Sequence, residues 1–203
     1  MTLRAAVFAS GGGTNFQALL DHQRPGGSWE IVLLLTDRAE ADALVRAEKA
    51  GVATAVVPTK GRELAEVGRV MLGLLEAHAV DVILLAGYLK LVPPDVVARY
   101  PRRILNVHPA LLPDFGGKGM YGMNVHRAVI ESGARESGAT VHLVDEDYDR
   151  GPVLAQERVP VHLGDTPEQL AARVLEVEHR LYPEAVDQLC EALAAGQDSG
   201  PMT

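Results

Sequence analysis

The segment Ile104-Leu105-Asn106-Val107-His108-Pro109-Ala110-Leu111-Leu112-Pro113-Asp114 decides how the rest of the chain is read. It begins as an apolar strand and ends as a proline-stiffened loop. Positions two apart in a strand point to one face, so Asn106 and His108 would meet one reactant from a strand end. An amide can donate to an oxyanion, and an imidazole carries a proton near neutral pH. Pro109 removes a backbone donor and fixes a torsion, which should end the pairing there. Either polar residue alone would fit a buried strand and its turn. Together, beside two prolines, they point to a site.

Outward from this segment, short apolar runs alternate with helical patterns. Strands are expected at Ala5 to Ala9, Trp29 to Thr36, Val52 to Val57 and Asp81 to Ala86. Helices are expected at Phe16 to His22, Ala39 to Ala50 and Arg62 to His78. Strands apolar on both faces, alternating with helices, predict a parallel sheet covered on both sides, an α/β doubly wound fold. After Pro113 the rhythm changes. The glycine-rich stretch Asp114 to Gly122 reads as a mobile loop, Met123 to Glu131 as a helix, and Ala139 to Val144 with Val153 to Val161 as a possible hairpin. Thr166 suits an N-cap, Pro167 the first helical position and Gln169 the capping-box partner of a long helix. Its apolar face is Leu170, Val174, Val177 and Leu181, and Pro183 should kink or end it.

The chain has 203 residues, is 47% hydrophobic and 23% charged, and carries a net charge of -8. These values suit one globular domain, expected over 1–195 with a frayed tail over 196–203. The acidic balance, with a pI of about 5.3, argues against nucleic acid as a partner. A single cysteine, Cys190, excludes an internal disulfide and fits a reducing cytoplasm. No signal peptide precedes the first strand, and no apolar run is long enough to span a bilayer.

Ser10-Gly11-Gly12-Gly13-Thr14-Asn15 follows the first strand and opens a helix. Glycine N–H groups at a helix start favour an anion, so a phosphate site is one reading and a simple capped βα turn the other. The loop is not a Walker loop, since no Gly-Lys-Ser/Thr follows, and Phe16 stands where a dinucleotide fingerprint needs its third glycine. Asp37 could still hold a ribose, which leaves a nicotinamide-dependent oxidoreductase open. The acidic turn Asp145 to Gly151 offers carboxylates to His108. Asp149, just before Arg150-Gly151-Pro152, is the best placed, and its charge would raise the imidazole's pKa. His142, between Val141 and Leu143, reads as a structural histidine. The remaining histidines show no metal-ligand spacing, and no nucleophile elbow is present.

Taken together, Ser10 to Asn15, Leu85-Ala86-Gly87-Tyr88-Leu89-Lys90, Asn106 to Pro113, Asp149-Arg150-Gly151-Pro152 and Glu178-His179 resemble the glycinamide ribonucleotide formyltransferase family, over Leu3 to Leu193. The resemblance implies a Rossmann-like, mostly parallel sheet of the formyltransferase type. It implies formyl transfer from 10-formyltetrahydrofolate to the amine of glycinamide ribonucleotide in purine (IMP) synthesis, with small-molecule substrates, no metal, and a monomer or homodimer. It assigns Asn106, His108 and Asp149 to catalysis. It assigns Gly13, Thr14, Asn15, Gly87, Pro109 and Glu178 to the ribonucleotide. Arg62, Leu89, Lys90, Leu91, Val92, Asn106 and Asp145 fall to the folate. Phe115-Gly116-Gly117 departs from the family's frequent Phe-Pro-Gly, and Arg150 replaces a commonly small residue. The Asn-x-His-Pro-x-Leu-Leu-Pro piece is shared among formyl-folate enzymes. Methionyl-tRNA formyltransferase would carry a further C-terminal domain, and formyltetrahydrofolate hydrolase an N-terminal one. A non-catalytic nucleotide-binding domain would have no use for Asn106, His108 and Asp149 together.

Overall fold

The computed structural model describes residues 2–146 and 148–196. Asp147 of the acidic turn, and the expected tail beyond Gly196, lie outside the described residues. Among the described residues, seven strands form one sheet in the order β3-β2-β1-β4-β5-β6-β7. They are β1 (Leu3–Phe8), β2 (Trp29–Thr36), β3 (Ala53–Val56), β4 (Val82–Leu85), β5 (Ile104–His108), β6 (Glu136–Leu143) and β7 (Val153–Pro160). The strands from β3 to β5 pair in parallel, whereas β6 and β7 pair antiparallel. Helices α1 (Thr14–His22), α2 (Asp42–Ala50), α3 (Leu64–Ala77), α4 (Pro94–Arg99), α5 (Met123–Glu131) and α6 (Pro167–Ala194) complete the chain.

The double-sided apolar strands follow from the pleat. Ala5 and Val7 of β1 face one core with Leu34, Leu84 and Leu105, beneath Phe16, Leu19, Tyr182 and Val186. Ala6 and Phe8 face the other with Leu33, Ile83 and Ile104, beneath Val67, Met71 and Leu75 of α3. A strand buried on both sides needs apolar residues at every position, which is the pattern seen.

The structure differs from the sequence reading in three places. Pro94–Arg99 is a short helix opened by Pro93 and Pro94, in a stretch to which the sequence reading assigned no element. Strand β6 starts at Glu136, because Glu136-Ser137-Gly138 joins the ladder with β7 despite its polarity. Pro183 does not end α6, which runs on to Ala194. The missing N–H and ring clash cost ~3 kcal/mol. Leu170, Val174, Val177, Tyr182, Val186 and Leu189 are buried along the same helix, each stabilising by roughly 1.5–3 kcal/mol for an aliphatic side chain, which outweighs that cost. The helix start is as expected. Thr166 Oγ1 accepts from Gln169 N, and Gln169 Oε1 accepts from Thr166 N.

Candidate active site

Strand β5 emerges between β4 and β6, next to the reversal of strand order that opens a crevice at the carboxyl ends of a doubly wound sheet. A cavity of about 530 Å³ lies there. Its floor comes from Asn106 to Pro109, one wall from Leu85 and Gly87 to Val92, and its cover from Gly117 to Gly122. His126, His142, Val144, Asp145, Tyr148 and Asp149 close one end, and Asn15 with Glu178 the other.

Register explains the polar cluster. In the antiparallel β5–β6 pair, Asn106 lies opposite His142 and His108 opposite Thr140. Two same-face positions on each strand therefore meet. Asn106 Nδ2 donates to His142 Nε2 at 3.1 Å. This leaves the His142 proton on Nδ1, which donates to the Leu143 carbonyl at 2.9 Å. Thr140 Oγ1 donates to Ala110 O and accepts from Leu112 N, which stitches the loop after His108 to β6.

His108 is buried, and its Nε2 donates to the Phe115 carbonyl at 2.8 Å. A carbonyl only accepts, so Nε2 carries a proton and Nδ1 is the nitrogen whose protonation can change. Nδ1 stands 3.6 Å from Asp149 Oδ2, and Asp149 Oδ1 stands 3.6 Å from His142 Nε2. Asp149 is held at φ 55° and accepts from Gly117 N at 2.9 Å. Two residues on, a Cβ on Gly151 would lie 1.8 Å from the Leu143 carbonyl oxygen, so the chain closes onto β6 only with glycine there. Burial pushes the Asp149 carboxyl up, but His142, His108 and the Gly117 N–H together bring it below the usual range.

The expected rise in the His108 pKa is not what the structure gives. Burial lowers it, and Asp149 and the Phe115 carbonyl, which act the other way, do not make up the difference. At 3.6 Å the carboxylate is beyond hydrogen-bond contact, so desolvation wins. The fold therefore favours the neutral imidazole at rest. His126, also buried and facing His108, is pushed down to about 4 by burial.

At the other end, Asn15 Nδ2 donates to Glu178 Oε2 at 2.5 Å. Burial raises the Glu178 carboxyl to about 7, with the Asn15 bond opposing. The glycine loop sits beside this pair. Ser10 N donates to Gly87 O and Leu89 N to Ser10 Oγ, which tie the loop to the wall after β4.

Asn15, Gly87, Leu89 to Val92, Asn106, His108, Pro109, Asp145, Asp149 and Glu178 thus line one cavity. Gly13 and Thr14 do not line it. Thr14 borders an adjoining groove with Gln17, Arg46 and His179. Arg62, expected in the folate set, does not line the cavity. Its guanidinium is engaged by Glu66, at 2.6 and 3.1 Å, and by the Pro58 carbonyl at 3.3 Å. A one-turn spacing at a helix start makes that pair local and easy to form. Sequence reasoning missed His142 as a cavity residue, along with His126. A β5–β6 register would have exposed His142, because it falls opposite Asn106. Among the described residues, no group of His, Cys, Asp and Glu is placed to hold a metal ion.

The comparisons agree with this geometry. Residues 3–186 match the formyl transferase family model. The chain is 46% identical over 200 residues to the chloroplastic phosphoribosylglycinamide formyltransferase of Arabidopsis thaliana, covering 97% of this chain and 68% of that one. It is 34% identical to the phosphoribosylglycinamide formyltransferase of Escherichia coli K12, covering 89% and 84%. It superposes with a TM-score of 0.88 on the crystal structure of glycinamide ribonucleotide transformylase 1 from Symbiobacterium toebii, at 39% identity over 94% of this chain and 89% of that one. With a matched model spanning the sheet and the cavity that its β5 end builds, the chain belongs to the formyl transferase family.

Proposed function

We propose that the protein transfers the formyl group of 10-formyltetrahydrofolate to the primary amine of glycinamide ribonucleotide, a step of purine synthesis. The observation that carries this is the cavity itself. It joins a proton-handling cluster (Asn106, His108, His142, Asp149) to an apolar wall (Leu85, Leu91, Val92, Val144) and a buried carboxylate beside a glycine loop. A flat pterin fits the apolar wall. Glu178 and Asn15 face the ribose or glycinamide end, and the N–H groups of Gly13 and Thr14 face the phosphate.

In this reading the amine nitrogen attacks the formyl carbon. The carbonyl electron pair moves to oxygen, where the Asn106 amide donates. His108, neutral at rest, takes the amine's proton on Nδ1. Asp149, ionised and 3.6 Å away, stabilises the imidazolium that forms. The same Nδ1–H then protonates the departing folate nitrogen as the carbon–nitrogen bond breaks. The His108 bond to Phe115 O keeps Nε2 out of this exchange. The low resting pKa of His108 serves the first half of the cycle, and Asp149 serves the second.

The proposal includes one formyltransferase domain over residues 1–195, formyl folate as co-substrate without a metal, and a monomer or homodimer in the cytoplasm. What supports the last is the absence of a long apolar helix among the described residues and the single, buried Cys190. The test is an assay of formyl transfer with glycinamide ribonucleotide, methionyl-tRNA and water offered as acceptors. Preferred transfer to the tRNA or to water would reject the reading.

A further inference from the structure

We propose that Arg46, on α2, is a positioning residue that sets the direction of the glycine loop's N–H groups. It rests on the phosphate reading of that loop given above. The carbonyls of three consecutive glycines are all occupied. Gly11 O accepts from Ala43 N at 3.1 Å, Gly12 O from Arg46 Nε at 2.8 Å and Gly13 O from Gln17 N at 2.9 Å. The carbonyl of one residue and the N–H of the next lie on opposite sides of a trans peptide plane. Drawing the three carbonyls toward α2 and α1 therefore turns the N–H groups of Gly12, Gly13 and Thr14 the other way. Among the described residues these three N–H groups have no hydrogen-bond partner within the protein. Successive N–H groups turned to one side at a helix start form an anion-binding concavity.

Arg46 is the one side chain in this set, and it works as a fork. While Nε holds Gly12 O, Nη1 donates to Gln17 Oε1 at 3.1 Å. The fork thus ties α2, the loop and the first turns of α1 together. Ala43, one turn earlier on α2, closes the same contact. A Cβ on Gly13, at φ 68°, would stand 2.8 Å from the Ala43 Cβ. Helix α2 is therefore the back wall of the loop. A lysine in place of Arg46 keeps the charge but cannot hold two acceptors in a planar fork.

The test compares Arg46→Met and Arg46→Lys with the unmodified protein. Arg46→Met should raise KM for glycinamide ribonucleotide about tenfold, the scale of one charge-assisted hydrogen bond. KM for the folate and kcat should stay within about twofold of the unmodified protein, since Arg46 does not line the cavity that holds Asn106, His108 and Asp149. Arg46→Lys should remain close to Arg46→Met. In a nitrogen-15 spectrum, inorganic phosphate should shift the amide signals of Gly12, Gly13 and Thr14 in the unmodified protein and much less in either variant. An unchanged ribonucleotide KM in Arg46→Met, or full restoration by lysine, overturns the proposal. The phosphate titration does not depend on the reaction. A protein that shows these shifts but transfers no formyl group refutes the proposed function and leaves the role of Arg46 standing.

Discussion

The two ends of the cavity each hold a carboxylate, and the two behave oppositely. Asp149 lies below the usual carboxylate range, whereas Glu178 is raised to about 7. Burial raises both. The difference is the company each keeps. Asp149 has a backbone N–H and two histidines around it, whose protonated forms favour the anion, whereas Glu178 has one neutral amide. Environment thus assigns two carboxylates different roles in one site, an anion at one end and a titratable group at the other.

The sharpest way to break this comparison is Asp149→Asn. It should lower kcat by on the order of a hundredfold or more, with both KM values changed far less. Asp149 raises the pKa of His108, so its removal should move the acid limb of the residual kcat profile to lower pH. His108→Ala should cost at least as much, and the double variant little more than the worse single one. A near-normal kcat for Asp149→Asn at neutral pH would assign its end of the cavity to structure alone.

Gly13→Val probes the opposite end. Its side chain would be strained at φ 68° and would collide with Ala43. Ribonucleotide KM should rise by roughly tenfold or more, the worth of one or two hydrogen bonds to an anion, while folate KM holds. Equal changes in both constants would dissolve the division between the two ends.

Glu178→Gln separates stability from binding. A folded pKa of about 7, above the unfolded 4.5, gives a contribution that is present below pH 4.5 and lost as pH rises through 7. The ionised carboxylate therefore costs stability at pH 8. The glutamine variant should be more stable there by on the order of 2 kcal/mol, with the gain gone near pH 4.5, and should bind the ribonucleotide less tightly. Denaturant unfolding at the two pH values measures this, and a gain independent of pH would refute the assignment. The smallest expected effect concerns residues 114–122. The loop is joined to the proton-handling end through Phe115 O and Gly117 N. Amide exchange there should slow by a few-fold with both substrates bound. No change would make it a passive cover.

The sequence showed most clearly what is repeated locally. Alternating apolar strands and helices, and the Thr166 capping box, follow from short-range patterning, and Asn106 and His108 share a face because they stand two positions apart in a strand. The Asp149 turn was within reach because it follows a strand. What stayed hidden depends on distance and packing. The place of His142 needs the β5–β6 register, which no local pattern encodes. The direction of the His108 shift needs a 3.6 Å gap and the extent of burial, and motif chemistry alone suggested the opposite sign.

Gly151 also constrains how such a chain can diverge. Its contact with the Leu143 carbonyl fixes the point where the turn rejoins the sheet, two residues after Asp149. Val144, Asp145 and Tyr148 come before that anchor in the chain and line the cavity. The turn ahead of Asp149 can vary in length and composition, while the spacing from Asp149 to the anchor is kept. One unsubstitutable position thus separates the part of the turn that is free to vary from the part that is not.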